Sequence, residues 1–161
     1  KTTLTKKLID NRKTLVVDPD GLEWSMIPTI DIGEITQLKP GKKARIIAPD
    51  YKDIVELVNY TEGNLVLDDC RYYVRSRIEE GVRQLLVRRR QKDVDIFAVA
   101  HSLNEVPPTF WTFATHLVLF KIKDNPQRLK QNITKFRELT EKHIPEINGH
   151  SNHHYFRVIP L

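Results

Sequence analysis

The stretch Asn64-Leu65-Val66-Leu67-Asp68-Asp69 (NLVLDD) decides how the rest of the chain is read. It is short, apolar on both faces and closed by two acids, the pattern of a strand buried in a sheet with carboxylates at its carboxyl end. Upstream, residues 14–18 (TLVVD) repeat the pattern and are broken by Pro19-Asp20-Gly21, and residues 43–48 (KARIIA) stop at Pro49. Downstream, residues 94–100 (VDIFAVA), 116–122 (HLVLFKI) and 155–159 (YFRVI) read as three more strands. Helical periodicity fills the gaps. Residues 2–10 carry Leu4, Leu8 and Ile9 on one stripe, and Asp50 caps a helix bearing Ile54, Leu57 and Val58 that Gly63 closes. Residues 74–90 place Val74, Ile78, Val82, Leu85 and Leu86 on one face, and Pro107-Pro108 opens a short helix. Residues 126–143 carry Leu129, Ile133, Phe136 and Leu139 as the stripe of a long helix, and residues 22–43 predict turns with one short element. Continuous apolar strands alternating with helices predict an α/β fold, a three-layer sandwich with a mainly parallel sheet.

The 161 residues suit a single domain, with 40% hydrophobic and 29% charged residues, a composition that is globular and not disordered. The longest apolar runs, such as residues 96–100 and 117–120, fall far short of the ~20 needed to span a bilayer, and no secretory leader is expected. A lone Cys70 excludes an internal disulfide and a multi-cysteine zinc site. Secreted, membrane-spanning and zinc-finger classes are therefore set aside.

Ligands of an open parallel sheet bind beyond the carboxyl ends of its strands. The polar residues there are Asp18 and Asp20, Asp68 and Asp69, and His101, Ser102 and Asn104. Each also serves as an ordinary strand terminator. The chain begins Lys1-Thr2-Thr3 and runs at once into a helix. A frayed basic end has this composition, and so does the close of a phosphate-binding loop, whose lysine reaches the β/γ oxygens and whose hydroxyl ligates Mg²⁺. On the second reading the loop glycines and a first strand precede Lys1. NLVLDD then supplies the other half of a nucleotide site: one acid for the metal, one to polarise water.

KTTLTKKLI resembles the end of a Walker A motif with its helix, and NLVLDD a Walker B motif. TLVVDPDG and the stretch RRRQKDVDIFAVAHSLNEVPPTFWTFATHLVLFKIKD resemble segments of the HerA/FtsK superfamily of DNA-pumping ATPases. The double acid is especially similar to viral genome-packaging ATPases of that group, the poxvirus-like ones and relatives of the filamentous-phage assembly ATPase. The resemblance covers nearly the whole chain. It implies a RecA-like P-loop NTPase core over residues 1–161 that lacks its first strand and part of the phosphate loop.

Carried over by position, Lys1 contacts phosphate with Thr3 beside it, and Thr2 ligates Mg²⁺. Asp68 organises the metal, and Asp69 is the general base where many relatives have glutamate. His101 takes a sensor position where glutamine or asparagine is commoner. An arginine finger acting on a neighbouring subunit comes from Arg88, Arg89 or Arg90, with Arg90 preferred and Arg89 next. RRRQK is equally a solvated helix end, favoured there by the helix dipole. The resemblance also implies ATP and Mg²⁺ as cofactors, double-stranded DNA, a ring of five or six copies and capsid proteins as partners. The site of action is then a host cytoplasm or the virion.

Much of the formal +5 charge sits between Arg71 and Lys92, where Arg71, Arg75, Arg77, Arg83, Arg88, Arg89, Arg90 and Lys92 face only Glu79 and Glu80. Such a block contacts DNA phosphates, or is a solvated or inter-subunit face. Tyr72, Tyr73, Phe110, Trp111 and Phe113 are read first as packing residues, with base stacking as the alternative. Lys39, Lys42 and Lys43 flank Pro40-Gly41 in a basic turn, solvated or reaching a central pore. His143, His150, His153 and His154 are not read as a metal site, since no cysteine supports one and the adjacent His153 and His154 would point to opposite faces of a strand. Three functions follow: Mg²⁺-dependent ATP hydrolysis driving DNA translocation or viral genome packaging in a ring, a P-loop kinase for a small molecule, and a non-catalytic basic nucleic-acid-binding domain. The kinase requires an arginine-bearing lid that residues 22–43 lack.

Overall fold

The structure, a computed structural model, describes every residue except 1, 10, 11, 48, 49, 75, 126, 128–132 and 134, and leaves out the side chains of residues 2, 51, 70, 74 and 76–79. It divides into two compact units, Lys1–Ala100 and His101–Leu161.

The first unit is a four-stranded parallel sheet with helices. Strands β1 (Thr14–Asp18), β2 (Lys43–Ile47), β3 (Gly63–Leu67) and β4 (Val94–Ala98) lie in the order β2-β1-β3-β4. Every residue of β1 and β3 is buried, which is why both read as unbroken apolar runs. Side chains alternate across a strand. Val16 and Val66 pack with Ile9, Trp24, Ile27 and Val99, so Leu15, Leu65 and Leu67 turn to the other face. Helix α1 (Thr2–Leu8) precedes β1, α2 (Tyr51–Glu56) follows β2, and α3 (Ser76–Arg88) joins β3 to β4. Asp50 caps α2 through the Asp53 backbone N–H, and the Asp53 carboxylate answers the Asp50 N–H. At Gly81 an added Cβ would meet Ile54 at 3.1 Å, so the glycine lets α3 approach α2 closely. The turn-rich segment holds one short element, the 3-10 turn Ile32–Gln37.

Gly63 does not close a helix. After α2 the chain passes through a 3-10 turn, Leu57–Asn59, and Gly63 is the first residue of β3, with φ 137°. A Cβ there would stand 2.3 Å from the Lys13 carbonyl oxygen, so the glycine serves the close approach of the residue leading into β1. A 3-10 turn, Cys70–Val74, precedes α3, which is shorter than the span 74–90 predicted by its stripe.

The second unit holds β5 (His116–Phe120) and β6 (Phe156–Pro160), paired antiparallel in a sheet of their own. A short apolar run cannot declare the direction of its partner, so the sequence placed HLVLFKI in the parallel sheet. The core here is Leu103, Trp111, Leu119, Leu139, Ile147 and Ile159, to which the short helix α4 (Pro108–Phe113) contributes Trp111. The predicted long helix lies largely outside the described residues before Lys135. From there α5 (Phe136–Glu138) continues through a π turn, Leu139–His143, into α6 (Ile144–Gly149). The helix thus passes His143, because Pro145 falls in the first turn of α6, where its missing N–H does no harm.

Candidate active site

The carboxyl edge of the four-stranded sheet gathers the acids. Asp18 closes β1, and Asp68 and Asp69 follow β3 directly. Asp18 is 2% exposed and ion-paired with Arg45, whose guanidinium stands 3.2 Å from Oδ2 and also donates to the Gly21 carbonyl at 3.0 Å. The Gly21 N–H donates to Asp18 Oδ1 at 3.1 Å and the Trp24 N–H to Oδ2 at 3.4 Å. Asp18 is therefore consumed in fixing the loop after β1.

Asp68, 7% exposed, meets no cation among the described residues. Its Oδ2 accepts the Trp24 indole N–H at 2.8 Å and its Oδ1 the Asp69 backbone N–H at 3.1 Å. Burial raises its pKa above the ordinary carboxylate range; Asp18 and Glu23 add to the rise, against the two hydrogen bonds. A carboxylate so placed favours a divalent cation. No three His, Cys, Asp or Glu side chains among the described residues form a metal cluster. A magnesium site needs no such cluster, since the ion keeps several waters and takes its remaining oxygens from one or two carboxylates and from phosphates. The residues present fit that kind of site.

Asp69 has φ 49°, a left-handed backbone that aspartate tolerates. Arg71 grips it at both oxygens, Nε to Oδ1 at 2.9 Å and a terminal nitrogen to Oδ2 at 2.8 Å, while the Arg71 N–H donates to Oδ1. The Arg71 side chain is half exposed, so this pair is readily exchanged.

Lys1 lies outside the described residues, as does the Thr2 side chain; Thr2 begins α1, and Thr3 is exposed in its first turn. Arg88 ends α3, and Arg89 and Arg90 lie in the turn before β4, with the Arg89 carbonyl accepting the Val94 N–H. That turn is at the amino edge of the sheet, about a strand length, or ~16 Å, from this chain's own acids. His101 opens the second unit and is exposed. Tyr73 and Trp111 are buried and Tyr72 meets Tyr73 edge-on, in keeping with packing roles. The structure thus joins Asp68 to Trp24, Asp69 to Arg71 and Asp18 to Arg45, three partners that pattern alone had not marked. Arg71 was counted only as part of a basic block. Its position two residues after an acid, within reach of a side-chain turn, is the signal that could have found it.

No protein-family model and no curated protein matches the sequence. Solved structures do match its fold. The genome packaging NTPase B204 from Sulfolobus turreted icosahedral virus 2, in complex with AMP, superposes with a TM-score of 0.64 at 11% identity, over 99% of this chain and 81% of that one. The same protein in complex with ATP-gammaS gives 0.63 at 10% identity, again over 99% and 81%. B204, the DNA-packaging ATPase from Sulfolobus turreted icosahedral virus, gives 0.64 at 10% identity over 99% and 82%. This chain has the α/β fold of a packaging NTPase.

Proposed function

We propose that this chain is the nucleotide-hydrolysing domain of a viral genome-packaging motor of the HerA/FtsK kind. The observation that carries this is the paired acids at the end of β3, one buried without a cation among the described residues and one partly exposed and held by Arg71, on a fold shared over 99% of the chain with a packaging NTPase. Lys1 and Thr3 would hold the phosphates of ATP, and Thr2 and Asp68 would hold Mg²⁺, which supplies charge neutralisation at the phosphates. Asp69 orients the attacking water and takes its proton once Arg71 has turned away. Arg90, or Arg89 beside it, serves the site of a neighbouring copy in a ring of five or six. His101 is retained as the polar sensor. The outer edge of β4 has no partner strand among the described residues.

The exposed Arg83, Arg88 and Arg90 offer cations to double-stranded DNA, with capsid proteins as further partners. No helix among the described residues is long and apolar enough to cross a membrane. Activity in a host cytoplasm or on the virion is part of the same proposal. The decisive experiment is Asp69→Asn. DNA-stimulated ATP hydrolysis should fall about 10²–10⁴-fold, the contribution of a general base, while ATP binding persists. Turnover equal to the parent's would overturn the assignment.

A further inference from the structure

We infer that Trp24 is a positioning residue: its indole N–H fixes the carboxylate of Asp68 in the orientation that receives the divalent cation. This rests on the metal role proposed for Asp68, and three features of the structure support it.

The first is direction. Trp24 is fully buried, and its only ring donor points at Asp68 Oδ2, 2.8 Å away, while the Asp69 N–H takes Oδ1. With one donor on each oxygen the carboxylate cannot rotate, and each oxygen keeps a lone pair for a ligand. The second is that Trp24 is itself held. Its N–H donates to Asp18, its carbonyl accepts the Ile27 N–H at 2.8 Å, and its ring packs with Ile9, Val16 and Val66. Asp18 is locked in turn by Arg45. From α1, the Lys6 ammonium lies 5.2 Å from the centre of the Trp24 ring and donates to the Glu23 carbonyl. Trp24 therefore ties α1, whose first turn carries Thr3 assigned to phosphate, to the acid assigned to metal. The third is an internal contrast. The other tryptophan, Trp111, is also buried in a core, yet its indole nitrogen has no hydrogen-bond partner among the described residues. Trp111 packs; Trp24 packs and donates. Partners that orient metal-ligating groups govern metal affinity strongly, with losses of about 10–100-fold on removal.

The test uses Mn²⁺ as the probe, with ATP present, on the intact protein. In a Trp111→Phe background Trp24 is the sole tryptophan, and saturable quenching of its fluorescence by Mn²⁺ reports occupation beside it. The quenching should vanish in Asp68→Asn. Trp24→Phe should weaken Mn²⁺ binding, measured by the spin-resonance signal of the free ion, by about tenfold. ATP affinity without metal should be unchanged, and Trp24→His, which restores a ring N–H, should recover part of the loss. Should Trp24→Phe fail to fold, replacing Trp24 by benzothienylalanine keeps the ring shape and removes only the N–H. Mn²⁺ binding at parental strength in the folded variant overturns the positioning role and leaves the metal site standing. Equal binding by the parent and Asp68→Asn overturns the metal site itself, and the role of Trp24 with it.

Discussion

At the scale of single residues, the site is built from acids that its surroundings treat differently. Asp18 is neutralised by Arg45, Asp69 is gripped by an exposed arginine, and Asp68 is buried with neutral donors only. An acid whose pKa is raised by folding strengthens the fold below the ordinary carboxylate range and loses that contribution as pH climbs through the raised value. Asp68→Asn keeps an oxygen for the Trp24 N–H and removes the charge. Relative to it, the parent should lose thermal stability as pH rises from about 4 to 7. Near neutrality the variant should melt at a higher temperature than the parent. Scanning fluorimetry across that range checks both, and a parent that gains on the variant with rising pH would mean that a cation already pairs Asp68. Arg71→Ala should move stability by about 1 kcal/mol or less, since the Arg71 side chain is half exposed.

At the scale of elements, the core strands were legible because β1 and β3 are buried along their whole length, and a strand covered on both faces shows its burial in every residue. The Asp50 cap was legible for a similar reason, since its chemistry is local. Two features were not. Strand direction depends on the partner, so β5 revealed its length and not its antiparallel pairing with β6. Gly63 follows a helical stretch as a terminating glycine would, yet its need arises from Lys13, fifty residues earlier. The site divides along the same line. Asp68 and Asp69 announce themselves in NLVLDD, whereas Trp24, Arg45 and Arg71 become site residues only through contacts that folding creates. Gly63→Ala forces a Cβ against a carbonyl oxygen at a positive φ and should lower stability by at least ~2 kcal/mol. Gly41→Ala, also at positive φ but with nothing within 4 Å of its Cβ, isolates the backbone strain and should cost about 1 kcal/mol. Comparable melting temperatures for the two would remove the steric account of Gly63.

At the scale of the whole molecule, the fold separates the predicted finger from the predicted base. A chain that uses both must borrow one of them, so mixing two inactive variants, Asp69→Asn and Arg90→Ala, should restore hydrolysis in some of the mixed assemblies. Mixtures as inactive as either parent would argue that Arg90 serves no neighbour. Since β1, β2 and β3 all run the same way, their carboxyl ends present Asp18, Asp20, Asp50, Asp53, Asp68 and Asp69, while Lys13, Lys42 and Lys43 lead into β1 and β2, and Arg88 to Arg90 precede β4. The two edges differ in sign, tempered by Arg45 and Arg71 at the acidic one and by Asp93 and Asp95 beside Arg12 at the basic one. An edge that met its own copy across a two-fold axis would set like charges together. Copies following one another, acidic edge to basic edge, form a heterologous contact, the kind that closes into a cyclic assembly when the rotation fits and extends without limit when it does not. If copies of this chain assemble, acids at one end of parallel strands and cations at the other would favour an end-to-end contact, and salt that screens those charges should weaken the contact before it weakens the fold.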